Sequence, residues 1–200
     1  MYWIGGGSGA GKSTVARGLA ARYGMRVYAT DEVMGDHARR STPEDAPYLA
    51  EFIGMDMDER WLNRSPETML ETFHWYRGEG FGLIVDDLRE PGTPVVAEGF
   101  RLLPELVMRY AAADHAVWLL PTPEFREVAL ESRGSTWSIA GNTSDPPRAL
   151  RNLLTRDRMF TDRLTAQVRD LGLPTVEVDG TRTEDQLVDR VADLFRLPPR

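Results

Sequence analysis

The sequence has no cysteine, one lysine, three histidines and no long uninterrupted apolar run, and each scarcity removes a class of explanation. Without cysteine there is no disulfide framework and no thiolate metal site, so any chemistry must use other groups. His37, His74 and His115 are too far apart to show metal-ligand spacing, and His37, beside Arg39 and Arg40, reads as part of a solvated helix end. Tyr2-Trp3-Ile4 starts a strand-like segment, with no basic region leading into a long apolar stretch. Neither a signal peptide nor a membrane span is therefore expected, and the cytoplasm is the expected compartment. A formal net charge of -7 argues against sequence-independent nucleic-acid binding, which needs many cationic contacts to phosphates. With 42% hydrophobic and 28% charged residues, the 200-residue chain has the balance of a globular protein, read as one domain over residues 1–200, monomeric or homodimeric.

The scarcity of lysine is informative because of where the one lysine stands. Every other basic residue among the 24 Lys+Arg is arginine. A planar guanidinium fork does not replace a compact ammonium inside a tight loop, so the exception marks a chemical requirement. Lys12 belongs to Gly6-Gly7-Ser8-Gly9-Ala10-Gly11-Lys12-Ser13, which satisfies G-x-x-x-x-G-K-[ST] between a strand and a helix. Gly7, Ser8, Gly9, Ala10, Gly11 and Thr14 would turn backbone N–H groups toward an anion at a helix N-terminus. Lys12 would reach the β- and γ-phosphates of a nucleotide, and the Ser13 hydroxyl would ligate magnesium. ATP and Mg2+ are the expected ligands. The bland alternative is a glycine-rich turn that binds nothing.

Strand-like runs at Tyr2 to Gly5, Arg26 to Thr30, Pro94 to Ala97, Ala116 to Leu120 and Thr175 to Val178 alternate with helical patterns. Helices are expected over Lys12 to Tyr23, Pro123 to Arg133, about Pro147 to Leu171, and Glu184 to Phe195. That alternation predicts an α/β fold with a parallel sheet of five strands and helices on both faces. Met34 to Glu90, carrying Phe52, Trp61, Phe73, Trp75, Tyr76 and Phe81, reads as a helical, substrate-binding insertion. Large aromatics in such a segment are expected to form its own small core. Gly134 to Pro147 reads as a loop feeding the long helix, and 134–158 as a mobile, arginine-bearing lid.

The glycine pattern Gly6, Gly9, Gly11, Lys12, Ser13, Thr14 resembles the loop of the P-loop kinase superfamily, whose members phosphorylate nucleosides, gluconate, shikimate or chloramphenicol. The resemblance implies a P-loop NTPase three-layer sandwich and transfer of the γ-phosphoryl group of ATP to a small-molecule hydroxyl. It implies that Asp31, ending the second strand, faces the γ-phosphate as base for the acceptor; the alternative is that Asp31 N-caps the following helix. It implies that Glu98, ending the third strand, stands near magnesium and the substrate. With Gly99 and Phe100 comes Arg101, a candidate grip on an anionic substrate. Arg148 and Arg151, three apart on a helix, and Arg133 resemble the arginine-bearing lid of adenylate-kinase-like enzymes. Asp179-Gly180 stands where related kinases pass adenine, and is equally a turn dipeptide. Asp86-Asp87 receives no chemistry. The rival class is a nucleotide-binding regulator or NTPase whose insertion recognises another protein, and a nucleic-acid end kinase would need a basic track.

Overall fold

Alternation along the strands accounts for the layering. In Trp3-Ile4, Val95-Val96-Ala97 and Ala116-Val117-Trp118 successive side chains are buried on opposite faces of one sheet, as period-2 geometry requires when both faces are covered. In the computed structural model, which describes residues 1–89, 92–126 and 134–198 and only the backbone of 134–137, five strands form that sheet. They are β1 (Tyr2–Gly6), β2 (Arg26–Ala29), β3 (Val95–Glu98), β4 (Ala116–Pro121) and β5 (Thr175–Val178). All pairings are parallel, in the order β2-β3-β1-β4-β5, with Ala29 and Ile4 both opposite Glu98 and Ile4 also opposite Val117.

One face packs on α1 (Lys12–Tyr23) through Val15, Ala16 and Leu19, and on the last helix, Glu184–Leu194, through Leu187, Val188 and Val191. The other face packs on helix Phe81–Leu88 and on the long helix Pro146–Asp170. Between β2 and β3 the chain forms α2 (Met34–Arg40), α3 (Pro47–Gly54), α4 (Met57–Trp61), α5 (Pro66–Thr72), a 3-10 turn (His74–Arg77) and α6 (Phe81–Leu88). After β3 come α7 (Pro104–Val107), α8 (Gly134–Gly141), α9 (Pro146–Asp170) and α10 (Glu184–Leu194). The expected helix over Pro123 to Arg133 is helical over 123–126, and the rest lies outside the described residues.

Three expectations are corrected. The segment expected to be a loop after Gly134 contains α8 over Gly134–Gly141, and the turn residues Asn142, Thr143 and Ser144 lie beyond it. Asn142 Nδ2 donates to the Ser138 carbonyl at 2.9 Å and Thr143 Oγ1 to that of Ala140 at 2.7 Å, closing the helix end. The aromatic insertion does not keep a core to itself: Trp61, Leu62, Phe52 and Phe73 pack with Ala140 of α8 and with Ala149, Leu150 and Leu153 of α9. Fastening is polar as well, with Asn152 Nδ2 donating to the Trp61 and Leu62 carbonyls and the Ser144 amide donating to Asp58 at 2.7 Å. Finally, His37 is not solvated; it is fully buried.

His74 is the second buried histidine, with Phe52, Phe73 and Trp75 rings around it and no hydrogen-bond partner for Nδ1 among the described residues. Burial, helped by the positive charges of Arg101, Arg156 and Arg60, lowers its pKa to about 3 from the ordinary 6.5. Between those values the unfolded chain binds a proton that the folded chain refuses, so stability falls as pH drops. Going from neutral pH to pH 5 should remove about 2 kcal/mol through this residue alone. Urea unfolding at pH 7 and pH 5, compared between wild type and His74→Asn, should show the loss shrinking by that amount in the variant; an identical loss in both would refute the assignment.

Candidate functional site

The crevice forms where two neighbouring strands send their connections to opposite faces. β1 leads into α1 on one face and β3 leads toward α7, whose Val107 is buried on the other, so their C-terminal ends stand side by side with nothing crossing between them. The glycine loop leaves β1 there. Gly11, in the left-handed region at φ 76°, is the N-cap of α1 and offers no capping side chain. The first helical bond is that of the Val15 amide to the Gly11 carbonyl at 3.0 Å, so helix geometry leaves the amides of Lys12, Ser13 and Thr14 directed out of the helix end. Lys12, 8% exposed, reaches back across the loop and donates from Nζ to the Gly7 carbonyl at 2.8 Å. Outward-directed N–H groups, the helix dipole and an ammonium at one helix end can hold a polyanion.

Across the crevice, Ser13 Oγ donates to Glu98 Oε1 at 2.8 Å, joining the first turn of α1 to the end of β3. Glu98 is buried; that burial raises its pKa, against the Ser13 bond and the Lys12 charge, which both favour the carboxylate, while the nearby charge of Asp31 adds to the rise. Gly99 follows at φ 146°, and a Cβ there would lie 1.8 Å from Thr30 Oγ1, so only glycine lets the ends of β2 and β3 close up. Asp31 is thereby set beside Glu98. It is exposed and accepts from Thr30 Oγ1 at 3.3 Å. It does not cap α2, whose N-cap is Val33 with no side-chain bond. A hydroxyl and two carboxylates over the glycine loop are oxygen donors of the kind a hard divalent cation takes along with water and phosphate. Among the described residues no group of three His, Cys, Asp or Glu gathers as a metal cluster.

The remaining expected residues are placed differently. Arg101 is buried and turned inward, donating from Nη1 to the Thr30 carbonyl at 3.3 Å and from Nη2 to His37 Nδ1 at 2.9 Å and to the Gly80 carbonyl at 3.3 Å. Its guanidinium also lies 4.0 Å over the Trp75 ring. Its donors are thus engaged with the protein, away from the anionic substrate expected of it. Arg148 and Arg151 are exposed on the first turns of α9. Arg133 lies outside the described residues. Asp179 accepts from the amide and hydroxyl of Thr181 at 3.0 and 2.7 Å, and Gly180 turns at φ 83° against Phe125, so this pair forms a turn after the edge strand.

Sequence reasoning missed Asp157 and Thr161, through which α9 rests on the loop. Ser8 Oγ donates to Asp157 Oδ2 at 3.4 Å, while Asp157 Oδ1 accepts from Tyr76 OH at 3.0 Å and from Arg156 Nε and Nη2 at 3.0 and 2.6 Å. Tyr76 stacks on Phe160 at 3.8 Å, and the guanidinium of Arg156 lies among the Trp61, Phe73 and Tyr76 rings. A signal existed: Leu150, Leu153, Asp157, Phe160, Leu164 and Val168 follow helical spacing, and a carboxylate in an apolar stripe demands a buried partner.

The fit of loop to helix is tight enough to test. A Cβ on Gly7 would lie 2.6 Å from Thr161 Oγ1 and 2.9 Å from its Cγ2. Gly7→Ala should destabilise by about 1–3 kcal/mol through overpacking. Adding Thr161→Ala should return part of that loss, a non-additivity read by chemical denaturation of the two single variants and the double. Strict additivity would mean that the loop and α9 do not press on each other.

No protein-family model matches the chain, and no curated protein matches it. Among solved structures, a crystal structure of an uncharacterized protein from Eubacterium ventriosum ATCC 27560 is similar over 98% of this chain and 97% of that one, with 14% sequence identity and a TM-score of 0.49.

Proposed function

We propose that the chain is a P-loop kinase that moves the γ-phosphoryl group of ATP to a hydroxyl of a small molecule. The observation that carries the reading is the convergence at neighbouring strand ends of Lys12, Ser13 bonded to Glu98 at 2.8 Å, and an exposed Asp31 that does not cap α2. Phosphoryl transfer asks little covalent chemistry of a protein; it asks for positioning and for neutralisation of charge on the transferring group. The loop amides and Lys12 supply the second. Ser13 and Glu98 would hold Mg2+, which brings a cation to the phosphate oxygens.

Asp31 supplies the first. As an exposed carboxylate beside Glu98 it can accept the proton of an acceptor hydroxyl and aim that oxygen at phosphorus. Lys12 folds onto the Gly7 carbonyl, so phosphates bound at the loop would exchange that partner for a phosphate oxygen without moving the charge far. Of the helical segments described between β2 and β3, α3 and α4 with Phe73 share one core with α8–α9, so acceptor-binding insertion and arginine-bearing lid would move as a connected body. The exposed Arg148 and Arg151 are the lid cations on this reading. The crevice residues and the strand order with β1 in the middle support the kinase assignment together.

Two substitutions test it. Lys12→Ala should abolish Mg2+-dependent ATP turnover, because the sequence holds no second lysine to substitute for it. Asp31→Asn should leave ATP affinity unchanged by calorimetry and lower transfer to the acceptor by about 10²- to 10⁴-fold, as expected for lost general-base assistance. The acceptor is found by an ADP-release screen over nucleosides, sugars and aminoglycoside or phenicol antibiotics. ATP turnover that no hydroxyl compound accelerates would favour the regulatory NTPase instead.

A further inference from the structure

Next to the crevice lies a buried polar chain that the proposed chemistry does not use. Arg101 donates to the carbonyl of Thr30, the residue before Asp31, at 3.3 Å. Behind it, His37 Nδ1 meets Arg101 Nη2 at 2.9 Å and His37 Nε2 meets Asp87 Oδ2 at 2.8 Å. Asp87 also accepts from Tyr28 OH at 2.7 Å and from Arg40 Nη1 at 2.8 Å. The charged and titratable groups facing His37 are thus Tyr28 from β2, Asp87 from α6, Arg101 from the turn after β3 and Arg40 from its own helix.

The tautomer follows from donor inventory. A guanidinium only donates and an ionised carboxylate only accepts, so Nδ1 of His37 must be the bare, accepting nitrogen and Nε2 must carry the proton. Burial would raise the carboxyl of Asp87, but the bonds from His37, Arg40 and Tyr28 outweigh it and hold its pKa at about 2, so Asp87 stays ionised. Burial and the Arg101 charge, against Asp87, keep His37 below its ordinary value and hence neutral. Both His37 and Arg101 are 2% exposed or less, out of reach of any ligand in the crevice. What they can do is fix backbone: the only part of Asp31's strand end that Arg101 grips is a carbonyl one residue away.

We propose that the Asp87–His37–Arg101 chain positions Asp31 through the Thr30 carbonyl, making Arg101 and His37 positioning residues for phosphoryl transfer. The inference rests on the kinase reading above. If it holds, the chain acts on turnover and only through Asp31.

A double-mutant cycle measured on the full chain tests this, with intrinsic ATP hydrolysis and ATP affinity as readouts. Arg101→Lys should lower the hydrolysis rate about 10- to 100-fold, the cost of a catalytic group displaced by about an ångström, with ATP affinity unchanged. In the Asp31→Asn background the same substitution should change the rate by no more than about twofold. His37→Asn, whose carbonyl oxygen can replace the accepting Nδ1, should stay within about threefold of wild type, whereas His37→Gln should fall as Arg101→Lys does. Additive effects of Arg101→Lys and Asp31→Asn, or equal behaviour of the two His37 variants, would overturn the proposal. Should the variants not fold, nitrogen-15 shifts of the His37 ring in wild-type protein decide: a proton on Nε2 and a bare Nδ1 support the chain, and the opposite tautomer breaks it. Failure of the kinase reading itself is distinguishable, because it shows in the wild type as ATP binding that is absent or indifferent to Lys12→Ala, and it would take this proposal with it.

Discussion

A carboxylate placed in the apolar stripe of a helix has to be answered from every side, and Asp157 is answered from three. The insertion answers with the Tyr76 hydroxyl, α9 with the neighbouring guanidinium of Arg156, and the glycine loop with Ser8. An unmatched buried charge costs several kcal/mol, so the three parts cannot separate without exposing it or filling the gap with water. The position of the loop relative to the helical layer, and hence the width of the crevice at β1 and β3, depends on that one meeting point. Thr161, one turn further along α9, adds the steric half of the same constraint by pressing on Gly7.

The strand-and-helix skeleton was legible because it rests on local signals. Alternation in Val95-Val96-Ala97 marks a strand covered on both faces, and the last helix declares itself by Leu187, Val188 and Val191 at helical spacing. The turn from β1 into α1 was legible from its glycines, which stand between an apolar strand and a helix. What escaped depends on who meets whom across long sequence separations. Arg101, three residues after Glu98, is placed by its sequence toward a substrate, but it turns toward the Thr30 carbonyl and a histidine 64 residues earlier. His37 sits between Asp36 and the pair Arg39-Arg40 and so reads as surface, yet the helix carrying it turns that one side chain inward. Asp87 and its neighbour Asp86 are identical in sequence terms; one is anchored by three donors, and the other makes an exposed pair with Arg89.

The site divides into a wet part and a dry part. Asp31, Arg148 and Arg151 are exposed, whereas Glu98, Lys12 and Arg101 are buried, each with a defined partner. Buried groups held by partners have less room to reorient than exposed ones. On the kinase reading proposed above, Glu98 would meet a ligand already set in place, and Asp31 would adapt to whatever occupies the acceptor side.

Because Lys12 carries the sequence's one side-chain ammonium of this kind, lysine-directed chemistry has a single interior address. A protease that cuts only after lysine would have one bond to cleave, Lys12–Ser13, located at the first turn of α1 and shielded by the loop that Lys12 folds over. The chain therefore carries its own reporter: cleavage into two pieces measures how often that loop opens, and protection measures how firmly something holds it shut.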